Sequence, residues 1–270
     1  MTPLLPHLRR VRLAVVSACL VGVGLGGCAD QPRVPDWTVN ARDSLQRSND
    51  AYLQGHTRVA QAEGTRARAE AARSALPEQV ARVLLAQCAA RVASLDWTAS
   101  GPECPEVAAL HPQDLSPALQ VYPRYLAAQV QAADLALLPA AQQPLARLVL
   151  AGPTGGADGA GGAGSASVRP TVTSAQAAAV LAAVTDPLSR LVGAAVWLRA
   201  QLPSALPAQD PVVVLAVDTA SAQGWSRPLM AWLGWQAQRA EETGQIELAA
   251  SLRRRMDLLV PATPTPSKSP

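Results

Sequence analysis

The chain has 270 residues, 49% of them hydrophobic and 16% charged, enough apolar side chain to offset ordering entropy, which excludes a disordered polyelectrolyte. Aromatics make up only 3%, with six Trp, three Tyr and no Phe, so any core is built from Ala, Leu and Val; that suits closely packed helices and argues against an all-β fold. The formal charge of +3 gives little long-range pull on nucleic acid or an anionic lipid surface.

At the N-terminus, Met1 to Arg12 carries Arg9, Arg10 and Arg12 with no acid, and Leu13 to Gly27 is uncharged, ending in small residues before Cys28. This is the layout of a secretory signal peptide, and the apolar run falls short of the roughly 18 to 20 residues that a membrane-spanning helix needs. Leu25-Gly26-Gly27-Cys28 resembles the lipobox of bacterial lipoproteins. The resemblance implies a signal peptide over 1–27 and diacylation of Cys28, which becomes the first residue of the mature chain; the other reading is an ordinary cleaved signal in which Cys28 is incidental. Ala29 stands at plus two, where in Gram-negative lipoproteins an Asp favours inner-membrane retention. The resemblance therefore implies lipid anchoring at the periplasmic face of the outer membrane, although Asp30 at plus three points toward the inner one. Loss of the leader removes three Arg and leaves 20 basic against 20 acidic side chains. The mature chain is formally neutral, and nucleic acid is not an expected partner.

Residues 28–35 read as a tether, followed by an N-terminal helical segment over 36–150. Gly55 sits where one helix ends and the next begins, with Ala60 five residues on. Val80, Leu84, Cys88, Val92 and Leu95 form one helical stripe. Apart from the leader cysteine and Cys28, the only thiols are Cys88 and Cys104, and the Trp97 to Glu103 stretch is long enough to fold back. A disulfide and two separate buried thiols are both compatible with that spacing, which is neither a zinc nor a thioredoxin-type signature. Ser116-Pro117 marks a helix start, and Pro123 and Pro144 should kink or interrupt their helices.

Residues 151–170 are almost wholly Gly, Ala, Ser and Thr and read as a linker. Gly159 to Gly164 formally matches G-x-G-x-x-G, but it lacks the preceding strand and following helix that a dinucleotide site requires. A C-terminal helical segment covers 171–260. Asp186-Pro187 and Asp210-Pro211 place a capping carboxylate before a Pro at the first helical position. Leu188, Leu191, Ala195, Leu198 and Leu202 then mark a helix face, and Val212-Val213-Val214, the one tempting strand, reads as buried helix. Gly224 and Gly244 end further helices, and Leu248, Leu252, Met256 and Leu259 give a last stripe. The Pro-rich run 261–270 reads as a disordered tail.

The fold class expected is all-α, with about eight to ten helices in antiparallel hairpins or an irregular α-bundle. The Gly55 and Gly244 turns, each followed by a small Ala five residues on, resemble those of tetratricopeptide repeats, where Gly permits the turn and the small residue lets paired helices approach. The whole chain is also similar to Gram-negative lipoproteins with an Ala- and Arg-rich helical body. No activity comes with that likeness.

Chemistry-bearing motifs are sparse. The two His outside the leader, His56 and His111, stand alone in loops without a second ligand at metal spacing, and no nucleophile elbow is present. No catalytic residue, metal site or cofactor is expected. Arg253-Arg254-Arg255 fan around a helix by about 100 degrees per residue and form no single patch. Half the Trp residues lie at 225, 232 and 235; Trp232 and Trp235 share a helical face and serve either as core filling or as anchors for a protein partner. The function expected is a noncatalytic membrane-anchored adaptor or envelope assembly factor, and the alternative is a cell-envelope hydrolase whose carboxylates are brought together by the fold. An open groove lined by apolar and amide side chains favours the first; a deep polar cleft with convergent acids favours the second.

Overall fold

A computed structural model describes residues 34–97, 103–152, 172–202 and 206–260. The leader, Cys28, most of the 151–170 linker with its glycine run, and the 261–270 tail lie outside the described residues. The chain divides at Asp36 into a short N-terminal unit and a body from Trp37 onward, and only the body is considered further.

The described residues hold eleven α-helices and two 3₁₀ turns and no strand; the fold is all-α. The helices are α1 Asp36–Leu53, α2 Thr57–Ala72, α3 Pro77–Ala93, α4 Pro105–Ala108, α5 Pro117–Leu126, α6 Gln143–Ala151, α7 Ser174–Ala182, α8 Pro187–Ala200, α9 Pro211–Ala222, α10 Ser226–Glu242 and α11 Ile246–Asp257, with the 3₁₀ turns at Pro112–Asp114 and Ala132–Leu137. The count passes the expected ten because α4 is a single turn that has no periodicity to read.

Small side chains set the first hairpin. Ala41, Ser44, Ser48 and Ala51 of α1 are buried, as are Ala60, Gly64, Ala67 and Ala71 of α2, and the Ser48 hydroxyl donates to the Ala60 carbonyl at 2.8 Å. The turn runs through Gly55 at φ +86°, where a side chain would strain the backbone. The Val212 to Val214 run lies in α9, and the Asp210 carboxylate caps it by accepting from the Val212 N–H at 2.9 Å. Asp186 does the same for the Ser189 N–H at 2.7 Å. Ser116 occupies the equivalent position before α5 but makes no side-chain cap bond. Pro144 sits in the first turn of α6, where its missing N–H costs nothing, so it starts that helix and does not interrupt it. Pro123 lies inside α5.

The core is organised on α8. The stripe read from the sequence is one face, yet every residue from Leu191 to Leu198 is buried, because α3, α5, α6, α7 and α9 all pack on this helix. Gly193 permits the approach: a Cβ there would meet Leu181 Cδ2 at 2.5 Å and Leu145 Cδ2 at 3.2 Å. A buried polar bridge crosses the same region, where the Tyr125 hydroxyl donates to Gln142 Oε1 and Gln142 Nε2 donates to the Ser189 carbonyl at 3.1 Å. One buried cluster runs from Ala81 to Leu252, so the helices before and after the 151–170 stretch share a core. No described helix is long and apolar enough to cross a membrane.

Candidate functional site

Of the hollows that open on the body among the described residues, two differ sharply in their lining. The first is a groove of about 310 Å³ between α4, the Pro112–Asp114 turn and α5. Its wall starts at the disulfide: Cys88 of α3 is bonded to Cys104, with Cα atoms 5.6 Å apart. Cys104 is fully buried and holds φ +55°, a left-handed conformation that costs a non-glycine residue roughly 1–2 kcal/mol. The bond to α3 keeps it there and fixes the chain entering α4.

Beside it, Glu103 is buried and paired with Arg199 of α8, whose guanidinium lies 5.4 Å from the Trp97 ring centroid. The opposite wall is held by an amide, since Gln120 Nε2 donates to the carbonyls of Pro112 at 2.9 Å and Leu115 at 2.8 Å, adding a second bond to the Pro112 carbonyl, which already accepts the Leu115 N–H. Arg124 closes the end through Asp134. Burial alone would raise the Asp134 carboxyl, but hydrogen bonds from Arg124 and the Gln131 N–H outweigh it and hold the group below the usual carboxylate range. Between these walls the lining is apolar, with Val107, Leu110, Pro112, Leu115, Leu119 and Pro123, while Gln120, Gln129 and Arg124 supply polar groups.

The second hollow, of about 550 Å³, is polar and lies among α1, α2 and α3, with Arg227 of α10 completing it. It brings together two carboxylates, Asp96 and Glu106. Both are engaged. Asp96 accepts from the Tyr52 hydroxyl at 2.8 Å, and Glu106 accepts a two-pronged contact from Arg91 at 3.2 and 3.3 Å. The Arg91 contact holds the Glu106 carboxyl below its ordinary value, the opposite of what a general acid at neutral pH requires.

Of the residues singled out from sequence, only Cys88 and Cys104 meet. Cys28 lies outside the described residues. Trp232 is fully buried, and its indole N–H donates to the Ala93 carbonyl at 3.0 Å, near the end of α3. It is therefore core, and the partner-anchor reading of this residue is corrected: an aromatic-poor interior takes the ring, and a helix-terminal carbonyl satisfies its one donor. Trp235 is half-buried and packs against the same core. His56 and His111 are exposed, and no group of three or more metal-ligating side chains gathers among the described residues. Arg253 pairs with Glu241 across the last hairpin.

The groove residues from Leu110 to Pro123 escape a reading of the sequence, because elements of three to ten residues carry too few turns for a periodicity to register. The signal available is the rhythm of Pro112, Pro117 and Pro123 among leucines.

No known protein family, curated protein or solved structure matches the chain.

Proposed function

We propose that this chain is a noncatalytic lipoprotein, anchored through Cys28 to the outer membrane at its periplasmic face, that acts as an adaptor by holding an apolar peptide segment of a protein partner in the groove beside the disulfide. The observation that carries the reading is the groove itself: an open apolar channel bordered by the side-chain carbonyl of Gln120 and the amide of Gln129, which offers leucine- or proline-like side chains a dry seat and a peptide backbone its hydrogen bonds. The lipobox-like run before Cys28 supports the anchor, each buried methylene of an acyl chain contributing about 0.8 kcal/mol. The body is tetratricopeptide-like in this reading, on the strength of the Gly55 and Gly244 hairpins, both of which take positive φ at the turn. The engaged state of Asp96 and Glu106 gives the hydrolase alternative no support.

A photoreactive residue at Ala108, exposed and lining the groove, tests the adaptor when compared in intact cells with the same probe at Ile246, which is 65% exposed on α11. A discrete protein adduct from position 108 and none from 246 is expected. Equal labelling from both sites, or none from 108, overturns the reading. For the anchor, Cys28→Ser should abolish incorporation of a fatty-acid analogue, and undiminished labelling refutes it.

A further inference from the structure

The polar cleft has a lining that a peptide groove would not need. Of its thirteen lining residues Ala60 alone is apolar; the rest are hydroxyls, amides, guanidiniums and two carboxylates. Groups that both donate and accept, such as the Thr57 hydroxyl and the Gln61 and Gln87 amides, match a ligand that also does both, which is the character of a polyol.

The charges add a second condition. Glu106 is held by Arg91 and Asp96 by Tyr52, which leaves the guanidiniums of Arg68 and Arg227 without a carboxylate in salt-bridge contact among the described residues, Arg68 acting on Glu106 only at longer range. Arg227 is rigid: its Nε donates to the Tyr52 carbonyl at 2.8 Å, a terminal nitrogen donates to the Thr57 hydroxyl at 2.6 Å, and its plane lies 4.4 Å from the Tyr52 ring centroid. Arg68 is looser, held by the Thr65 hydroxyl at 3.4 Å. Arg227 sits at Thr57 and Arg68 at Thr65, about 12 Å apart along α2, so an anionic group suits the adjustable Arg68 while the hydroxylated remainder of the ligand extends toward Arg227.

The floor of the cleft is prepared in the same sense. A Cβ on Gly64 would lie 2.2 Å from Gln87 Nε2 and 3.0 Å from Ser48 Oγ. The missing side chain lets the Gln87 amide lie across α2 and donate to Ser48 Oγ at 3.3 Å, which orients the amide before any ligand arrives. A volume of about 550 Å³ takes one or two sugar rings.

We infer that this cleft binds a small acidic sugar, one or two rings bearing a carboxylate or a phosphate, with Arg68 holding the acid and Arg227 and the α1 and α2 hydroxyls and amides reading the ring. The site is independent of the apolar groove, and its test does not depend on the adaptor.

Isothermal titration of the full chain with glucuronic acid, glucose 6-phosphate, glucose and inorganic phosphate decides the matter. At least one of the two acidic sugars should bind about tenfold or more tightly than glucose and than phosphate alone, and the tighter of the two names the acid. Arg68→Gln should weaken that binding about tenfold, the weight of one charge-assisted hydrogen bond, with an unchanged melting temperature because Arg68 makes no salt bridge among the described residues. Gly64→Ala, which drives the Gln87 amide into the cleft, should weaken it further. Four results each overturn the inference: glucose binding as well as the acids, phosphate binding as well as glucose 6-phosphate, Arg68→Gln binding like wild type, or no heat from either acid at about 10 mM, where even a ligand of millimolar affinity is mostly bound.

Discussion

Replacing Gly193 by Ala probes the closest approach in the core. The substitution favours the helix by about 1 kcal/mol, since Gly is the poorest ordinary residue in a helix interior. Against that, the new methyl would stand 2.5 Å from Leu181 Cδ2 and 3.2 Å from Leu145 Cδ2. Leu181 and Leu145 are each 1% exposed, so neither can swing into solvent, and overpacking of this kind costs about 1–3 kcal/mol. The net expectation is a loss of about 1 kcal/mol, or about 3 °C in melting temperature for a body of this size.

Gly234→Ala is the internal control. Its Cβ would touch only Met256 Cε, at an ordinary 3.7 Å, so the helical gain stands alone and melting should rise by about 3 °C. Thermal melts followed by helical circular dichroism, with the disulfide intact, read both variants. Adding Leu181→Ala to Gly193→Ala should then cost less than the two single changes together by about 1 kcal/mol, because the cavity accepts the methyl. A Gly193→Ala chain as stable as Gly234→Ala, or strict additivity in the double variant, refutes the steric account.

Three further outcomes follow from the same geometry. Reducing the Cys88–Cys104 bond, which closes a separation of 16 residues, should cost about 3 kcal/mol and release Cys104 from its left-handed backbone; identical melting with and without reductant contradicts this. Trp232→Phe should cost about 2 kcal/mol through the stranded Ala93 carbonyl and the smaller ring, while the half-buried Trp235 should tolerate Phe within about 0.5 kcal/mol, an order that denaturant titration can reverse. Arg91 lowers the Glu106 carboxyl, so its contribution is present above the unfolded-state value near pH ~4.3 and is lost as pH falls through the lower folded value; melting temperature should drop over that window, and less steeply in Glu106→Gln, and equal slopes would remove the pair from the account.

The class of the fold is written in the composition and the stripes, because a helix of twelve or more residues repeats its burial pattern several times. What the stripes could not tell was how many faces are covered. Leu188 to Leu202 gives an amphipathic reading of α8, whereas the Gly193 contacts and the Ala194-Ala195 pair let neighbours in on the remaining sides, a consequence of tertiary packing that no local pattern encodes. Helix ends were legible only where Gly marks them. Gly55, Gly224 and Gly244 carry positive φ, but so do Ala75, Leu95 and Ala128. At α3, the Asp96 N–H reaches back to the Arg91 carbonyl at 3.0 Å, the bond pattern of a glycine-capped terminus made with Leu95 in the left-handed position. The cleft was not legible, and the groove showed only in the rhythm of Pro112, Pro117 and Pro123. Each gathers side chains from elements far apart in sequence, and distances between such elements are set by the core.

The start of α10 is sewn to the first hairpin. Ser226 Oγ donates to the Gln54 carbonyl across 172 residues, and Arg227 reaches the Tyr52 carbonyl across 175. Because a chain is made from its N-terminus, α1 and α2 emerge first and wait for a clasp that is synthesised nearly last. A nascent chain ending before Ser226 has three walls of the polar cleft and no fourth. The first hairpin and the penultimate helix therefore meet through a late, long-range contact, and the loop entropy of that closure falls on the step that finishes the cleft.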